Sequence, residues 1–383
     1  MAGAYGVTRG PQPVPPRVHA HHASHTRLLS TATVRSARPA GVNAVIVPTA
    51  RPYGYLRDAA ELVKELNCQL IVLCSKWADA GRALDLAADV GVRVVTVDID
   101  DDQPRLPDLR TSSMLDEQRW RRFSRKTDTS LKRNVGLALA RMVGWRFVLF
   151  LDDDIRVEEP GDIWDAAALA ETHAAVGLVN QGFPDNSVVC HAYRRTGGIQ
   201  GTFVGGGALV VQVNRTTSFF PNIYNEDWFF LLNGHGIDPV TTVGKVTQKE
   251  YDPFRDTVRA RGEEFGDTLA EGVYALLDDG KTIDAADAGY WEAYLSVRRD
   301  FIQQVLHRVP RATVADEAER QRMAAALTGA HGRSLTITPD LCVEYLRAWS
   351  ADRRLWQSWL GKLPHKPSAE AALRYLGLKP HVA

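Results

Sequence analysis

The 383-residue sequence predicts an α/β architecture, a mostly parallel sheet flanked by helices and followed by a helical C-terminal region. Three observations carry that expectation. Between Val42 and Asp98, short β-branched runs alternate with segments of helical period, as strand–helix–strand units with right-handed crossovers require. Phe147-Val148-Leu149-Phe150-Leu151 is an unbroken apolar run, too short for a membrane and suited to a strand buried on both faces. From Asp252 onward the pattern changes to amphipathic helices with charged faces.

Taken in order, residues 1–40 hold Pro11, Pro13, Pro15 and Pro16, then His19, His21, His22 and His25, with no acidic residue, which is the composition of a flexible tail. Such a histidine cluster can also bind metal, and an acid-free leader can be a transit peptide, although the prolines oppose the amphipathic helix such a peptide uses. Order begins with a first strand, Val42 to Pro48. Asp58–Leu66 reads as a helix, Gln69–Cys74 as a second strand, Ala80–Asp89 as a helix and Val92–Asp98 as a third strand. Thr129–Met142 carries an apolar stripe, with Asp128 placed to cap it and Gly144 to stop it. Asp162–Glu171, Val176–Asn180 and Ala208–Val211 continue the alternation, and helices follow at about 313–328, 339–360 and 368–376. The expected division is a tail at 1–40, an α/β domain at 41–254 and a helical region at 255–383.

Forty-six basic residues balance 46 acidic ones, which removes the electrostatic argument for bulk binding to nucleic acid or a membrane surface. Cys68, Cys74, Cys190 and Cys342 form no CxxC pair, so buried thiols in a reducing compartment are expected. No run approaches the roughly 20 apolar residues of a spanning helix, and the N-terminus lacks a signal-peptide core, which predicts a cytoplasmic protein without a transmembrane segment.

The chemistry concentrates where the apolar strand runs into Asp152-Asp153-Asp154. Three adjacent carboxylates at a buried strand end repel one another and resist desolvation, so a positive partner is needed. A hard divalent cation, Mg²⁺ or Mn²⁺, answers this and commonly shares its shell with substrate phosphates at the carboxyl edge of an α/β sheet. Thr49, Arg51, Asp79 and Asp98 fall at the same edge. Lys132, Arg133 and Asn134 crowd the first turn of a helix, where cations oppose the dipole unless an anion docks nearby. Gly197 to Gly207 is dense enough in glycine for close backbone approach to a ligand, or for a bulged hairpin. Glu226 and Asp227 open an aromatic helix whose Trp228 and Phe229 are either core or a flat platform for a ligand.

Together these residues resemble the GT-A fold glycosyltransferases of the nucleotide-diphospho-sugar transferase superfamily, over about residues 42–254. Val47-Pro48-Thr49 resembles the opening strand that cups the nucleotide base. Lys132-Arg133-Asn134-Val135-Gly136-Leu137 resembles the segment preceding the metal-site strand. Asp152-Asp153-Asp154 is similar to the DxD motif, and Glu226-Asp227 followed by Gly234 looks like the Glu-Asp motif of the inverting branch. The second strand departs from the pattern, ending in Cys-Ser-Lys-Trp-Ala-Asp rather than Asp-Asp-Gly-Ser.

The resemblance implies metal-dependent transfer of a sugar from a UDP-, GDP- or TDP-sugar donor to a small-molecule or saccharide acceptor hydroxyl, with inversion. Asp152 and Asp154 would ligate the ion, with His235 a further ligand. Thr49, Arg51, Asp79, Lys132, Arg133, Asn134, Asp152 and Asp153 would contact the donor. Asp227 would act as general base with Glu226 as its orienter. Two other readings remain open from the residues: a sugar-1-phosphate nucleotidyltransferase, although Thr49-Ala50-Arg51-Pro52-Tyr53-Gly54 is a poor match to its loop, and a non-catalytic nucleotide-sugar-binding or scaffold protein.

Overall fold

The computed structural model describes residues 21–31, 41–99, 103–181, 186–313 and 315–382. β1 (Ala44–Pro48), α1 (Arg57–Leu66), β2 (Gln69–Cys74), α2 (Ala80–Val90) and β3 (Val94–Asp98) follow in alternation. β1 pairs with β2 and β2 with β3 in parallel, as the crossovers require. α3 (Arg110–Asp116) and α4 (Thr129–Val143) then lead to β4 (Phe147–Leu151), which enters parallel to β1 on its other side. α4 stops at Gly144, whose φ of 79° is the left-handed conformation that favours glycine. At Gly136 a Cβ would stand 2.9 Å from Phe150 Cε1 and 3.0 Å from Ile46 Cγ2, so α4 lies directly on the two strands that lead to the acidic triplet.

Past β4 the chain adds β5 (Ile155–Val157), α5 (Gly161–Leu169), β6 (Ala175–Gln181), α6 (Val188–Arg195), β7 (Ala208–Gln212), α7 (Glu226–Phe230) and β8 (Val240–Gln248). With β9 (His381–Val382) at the chain's end, the sheet order is β5-β8-β6-β7-β4-β1-β2-β3-β9. Among the described residues six of these nine strands share one direction, and β5, β7 and β9 oppose it. The parallel arrangement is therefore continuous over β4-β1-β2-β3, whereas β7 turns the other half of the sheet mixed.

Strand period divides the core between the two faces. Ala44, Ile46, Ile71, Leu73, Val148 and Phe150 pack on one side, and Val45, Val47, Leu70, Val72, Leu149 and Leu151 on the other. The second face is covered by α1, α2 and α5. The first is covered by α4 and by the C-terminal helices α8 (Thr257–Asp278), α9 (Ala288–Arg308), α11 (Pro339–Leu360) and α12 (Ala369–Tyr375), while α10 (Glu317–Ser334) packs with α8 and α9 over a smaller cluster. Tyr345, Trp349 and Trp356 thus share one hydrophobic core with the sheet, and β9 returns to pair with β3. The helical region expected at 255–383 is one layer of the same core.

The tail expected at 1–40 lies mostly outside the described residues. Its described stretch, 21–31, is docked: His25 is fully buried, stacked on Tyr274, and its backbone N–H donates to Thr202 O at 2.7 Å. Apolar and aromatic contacts of the imidazoles offset the polar composition that argues for a free tail. No helix among the described residues is long and apolar enough to cross a membrane.

Candidate active site

A cavity of about 290 Å³ opens at the end of β4, walled by β5, β6, β7 and β8, by Gly201–Phe203 and Gly205–Gly207, and by α7. Five of the singled-out residues border it: Arg133, Asp152, Glu226, Asp227 and Trp228. Arg133 joins Asp152 to Glu226. Its Nη2 donates to Asp152 Oδ1 at 2.7 Å and to Gly206 O at 3.0 Å, and its Nη1 donates to Glu226 Oε1 at 2.9 Å. A Cβ at Gly206 would lie 2.5 Å from Arg133 Nη1, so the guanidinium passes only because the loop has glycine there. Arg125 Nη1 adds a second cation on Glu226 Oε2 at 3.1 Å.

Asp227 is held by backbone donors. The Gly206 N–H reaches its Oδ2 at 2.5 Å and the Trp228 N–H its Oδ1 at 3.0 Å. Burial, with Glu226 alongside, pushes its carboxyl up to about 6, against the opposing pull of Arg133 and the two N–H groups. Asp152 is pushed up to about 7, first by burial and then by Asp154 and Asp153, with Arg133 opposing. About a third of the Asp152 side chain still faces the cavity. Burial works against the Arg133 charge, but Asp152, Glu226 and Asp227 outweigh it and hold the guanidinium protonated.

The remaining triplet residues turn to the end of β1. Thr49 Oγ1 donates to Asp153 Oδ2 at 2.5 Å, and Arg51 pairs with Asp153 and, at 2.9 Å, with Asp154. Lys132 is buried and donates to Thr49 O at 2.7 Å and Ser75 Oγ at 2.5 Å, with Asp128 at 3.1 Å. The unfavourable cations of the first α4 turn are therefore met by carboxylates of the protein itself. Asp128 pairs with Lys132 rather than capping α4 through its side chain.

Three residues fall away from the cavity. Asn134 clamps Phe220, accepting from its N–H at 2.9 Å and donating to its carbonyl at 2.8 Å. Asp79 caps α2 by accepting from Arg82 N at 2.7 Å. His235 sits in the turn beyond α7, where its carbonyl accepts from Ile283 N, and it does not border the cavity. Trp228 and Phe229 are core: Trp228 packs on Phe203, His25 and Tyr274, and Phe229 on Tyr345 and Trp349.

The donor set at the strand end fits a hard divalent cation in type. It consists of carboxylate oxygens only, Asp152 keeps part of its surface open, and such ions are held by one or two carboxylates with substrate phosphates completing the shell. Asp154 offers the second carboxylate, shared with Arg51.

No family model matches the sequence, and no curated protein matches it. The structure is similar to a mannosyltransferase from Pyrobaculum calidifontis in complex with GDP-Man and Mn²⁺, at a TM-score of 0.43 and 15% identity, covering 86% of this chain and 92% of that one.

Proposed function

We propose that the chain is a GT-A type glycosyltransferase that moves a sugar from a nucleotide-diphosphate donor to an acceptor hydroxyl with inversion. The observation that carries this reading is the Arg133 bridge, which sets the aspartate at the metal-type strand end and the Glu226-Asp227 pair on one cavity. The resemblance of the two motifs supports it independently.

Transfer with inversion needs a base on the acceptor hydroxyl and stabilisation of the departing diphosphate on the opposite face. Asp227 suits the first task. A carboxyl near 6 is mostly ionised at neutral pH yet a stronger base than an ordinary carboxylate, and two backbone N–H groups fix its direction. Glu226 stays locked on Arg125 and Arg133 and so orients its neighbour. Asp152 and Asp154 would hold a Mn²⁺ or Mg²⁺ ion, which when bound supplies Lewis-acid stabilisation of the leaving group. Gly206 leaves the space that the Arg133 guanidinium fills between the two carboxylate groups.

The test is a transfer assay with UDP-, GDP- and TDP-sugars over a panel of acceptors, run on the wild-type protein and on Asp227→Asn. Asp227→Asn is expected to keep donor affinity and lose about two to four orders of magnitude in turnover. Near-full turnover by the variant would remove Asp227 from the mechanism, and pyrophosphate release from a nucleoside triphosphate would favour a nucleotidyltransferase instead.

A further inference from the structure

Away from the cavity, three segments far apart in sequence bring an imidazole, a thiol and a carboxylate to one buried point. His21 Nδ1 lies 2.8 Å from Glu271 Oε1. Cys190 Sγ lies 3.3 Å from the same oxygen and 3.9 Å from that nitrogen. The Glu271 side chain is fully buried and that of His21 is 7% exposed. We propose that His21, Cys190 and Glu271 form a zinc site that fastens the N-terminal segment to the catalytic layer.

Nitrogen, sulfur and oxygen donors are the set zinc accepts. Its bond lengths of about 2.0–2.3 Å place tetrahedral ligand atoms about 3.3–3.6 Å apart, so the three separations already lie within about 0.6 Å of the required triangle. Glu271 is oriented for the role: Arg298 Nη1 holds its other oxygen, Oε2, at 2.7 Å, as an outer-shell partner holds a ligating carboxylate.

Charge argues the same way. α8 presents Glu264, Asp267 and Glu271 to the single guanidinium of Arg298, all four fully buried or nearly so. Three carboxylates face one guanidinium, with the His21 imidazole the other partner of Glu271, so a divalent cation held by His21, Cys190 and Glu271 would add positive charge where carboxylates outnumber cations.

The consequence reaches the active site through the segment itself. Two residues beyond His21, the Ala23 carbonyl accepts from Gly201 N at 2.8 Å, and His25 Nδ1 accepts from Val204 N at 3.0 Å. A metal at His21 would anchor the segment that holds the glycine-rich wall of the cavity.

The test strips the full-length protein with a chelator and titrates it with Co²⁺ and then Zn²⁺. One equivalent of Co²⁺ is expected to give a thiolate-to-cobalt charge-transfer band that Zn²⁺ abolishes, and Zn²⁺ is expected to raise Tm. Cys190→Ser, nearly isosteric, should lose the band and weaken binding by more than the roughly 10- to 100-fold that loss of an outer-shell partner costs. No band in the wild-type protein at saturating Co²⁺, or an undiminished band in Cys190→Ser, would overturn the proposal. Neither readout depends on transfer activity, so the zinc site and the transferase reading fail separately.

Discussion

Arg133 shows how one side chain can define a site. Its guanidinium is almost wholly buried, with one terminal nitrogen on Asp152 and the Gly206 carbonyl and the other on Glu226, while its Nε has no hydrogen-bond partner. A buried charge survives only when paired, so the two carboxylates fix the arginine as firmly as it fixes them. The sequence marks Arg133 as out of place in a helix's first turn, but the partner that resolves the conflict lies 93 residues away and no local pattern points to it. The reverse holds for Asp152, whose strand end is legible because five buried apolar residues run directly into it. Asp227 gives the residue scale its test. In the proposed mechanism the ionised form is the base, and burial raises its carboxyl to about 6 from the ordinary 3.8, so that mechanism requires activity to fall as pH drops through 6. We expect kcat/KM to lose about tenfold per pH unit below that point. A profile flat down to pH 4.5 would remove Asp227 as the base.

At the scale of elements, the site depends on close backbone approach between pieces made at different points of the chain. α7 is only five residues long and cannot hold Glu226 and Asp227 in place by itself. The chain leading into it rests on α8, where a Cβ at Gly266 would stand 2.2 Å from Tyr224 O and 2.5 Å from Tyr224 N. Backbone cannot yield as a flexible side chain does. Gly266→Ala is therefore expected to destabilise the fold by about 1–3 kcal/mol and to lower turnover by shifting Glu226 and Asp227, read by urea denaturation and by the transfer assay. Wild-type behaviour in both would mean that α8 does not position the pair. β1, β2, β4 and α4 are readable from the sequence because apolar period and glycine punctuation agree. β5 and β8 escape that reading: one is three residues long, and the other mixes threonine, glycine and lysine with its valines at the sheet's less buried end.

Across the whole molecule, the composition change at Asp252 suggests a boundary that the packing does not respect. Sheet, α4, α8 and α11 contribute to one hydrophobic cluster, and the chain's last strand pairs with β3. Periodicity shows that the C-terminal helices are amphipathic but not what their apolar faces meet. Trp349→Ala is expected to cost about 3–5 kcal/mol and to lower the Tm of a single calorimetric transition. Splitting of the unfolding into two transitions would mean that 255–383 folds as a separate unit. The central claim is that Asp152 faces a donor site shared with Asp227, and isothermal titration of UDP-, GDP- and TDP-sugars in the presence of Mn²⁺ tests it most directly. Wild-type protein should bind at least one of them and Asp152→Ala should lose that binding; binding by neither protein, or equal binding by both, would contradict it.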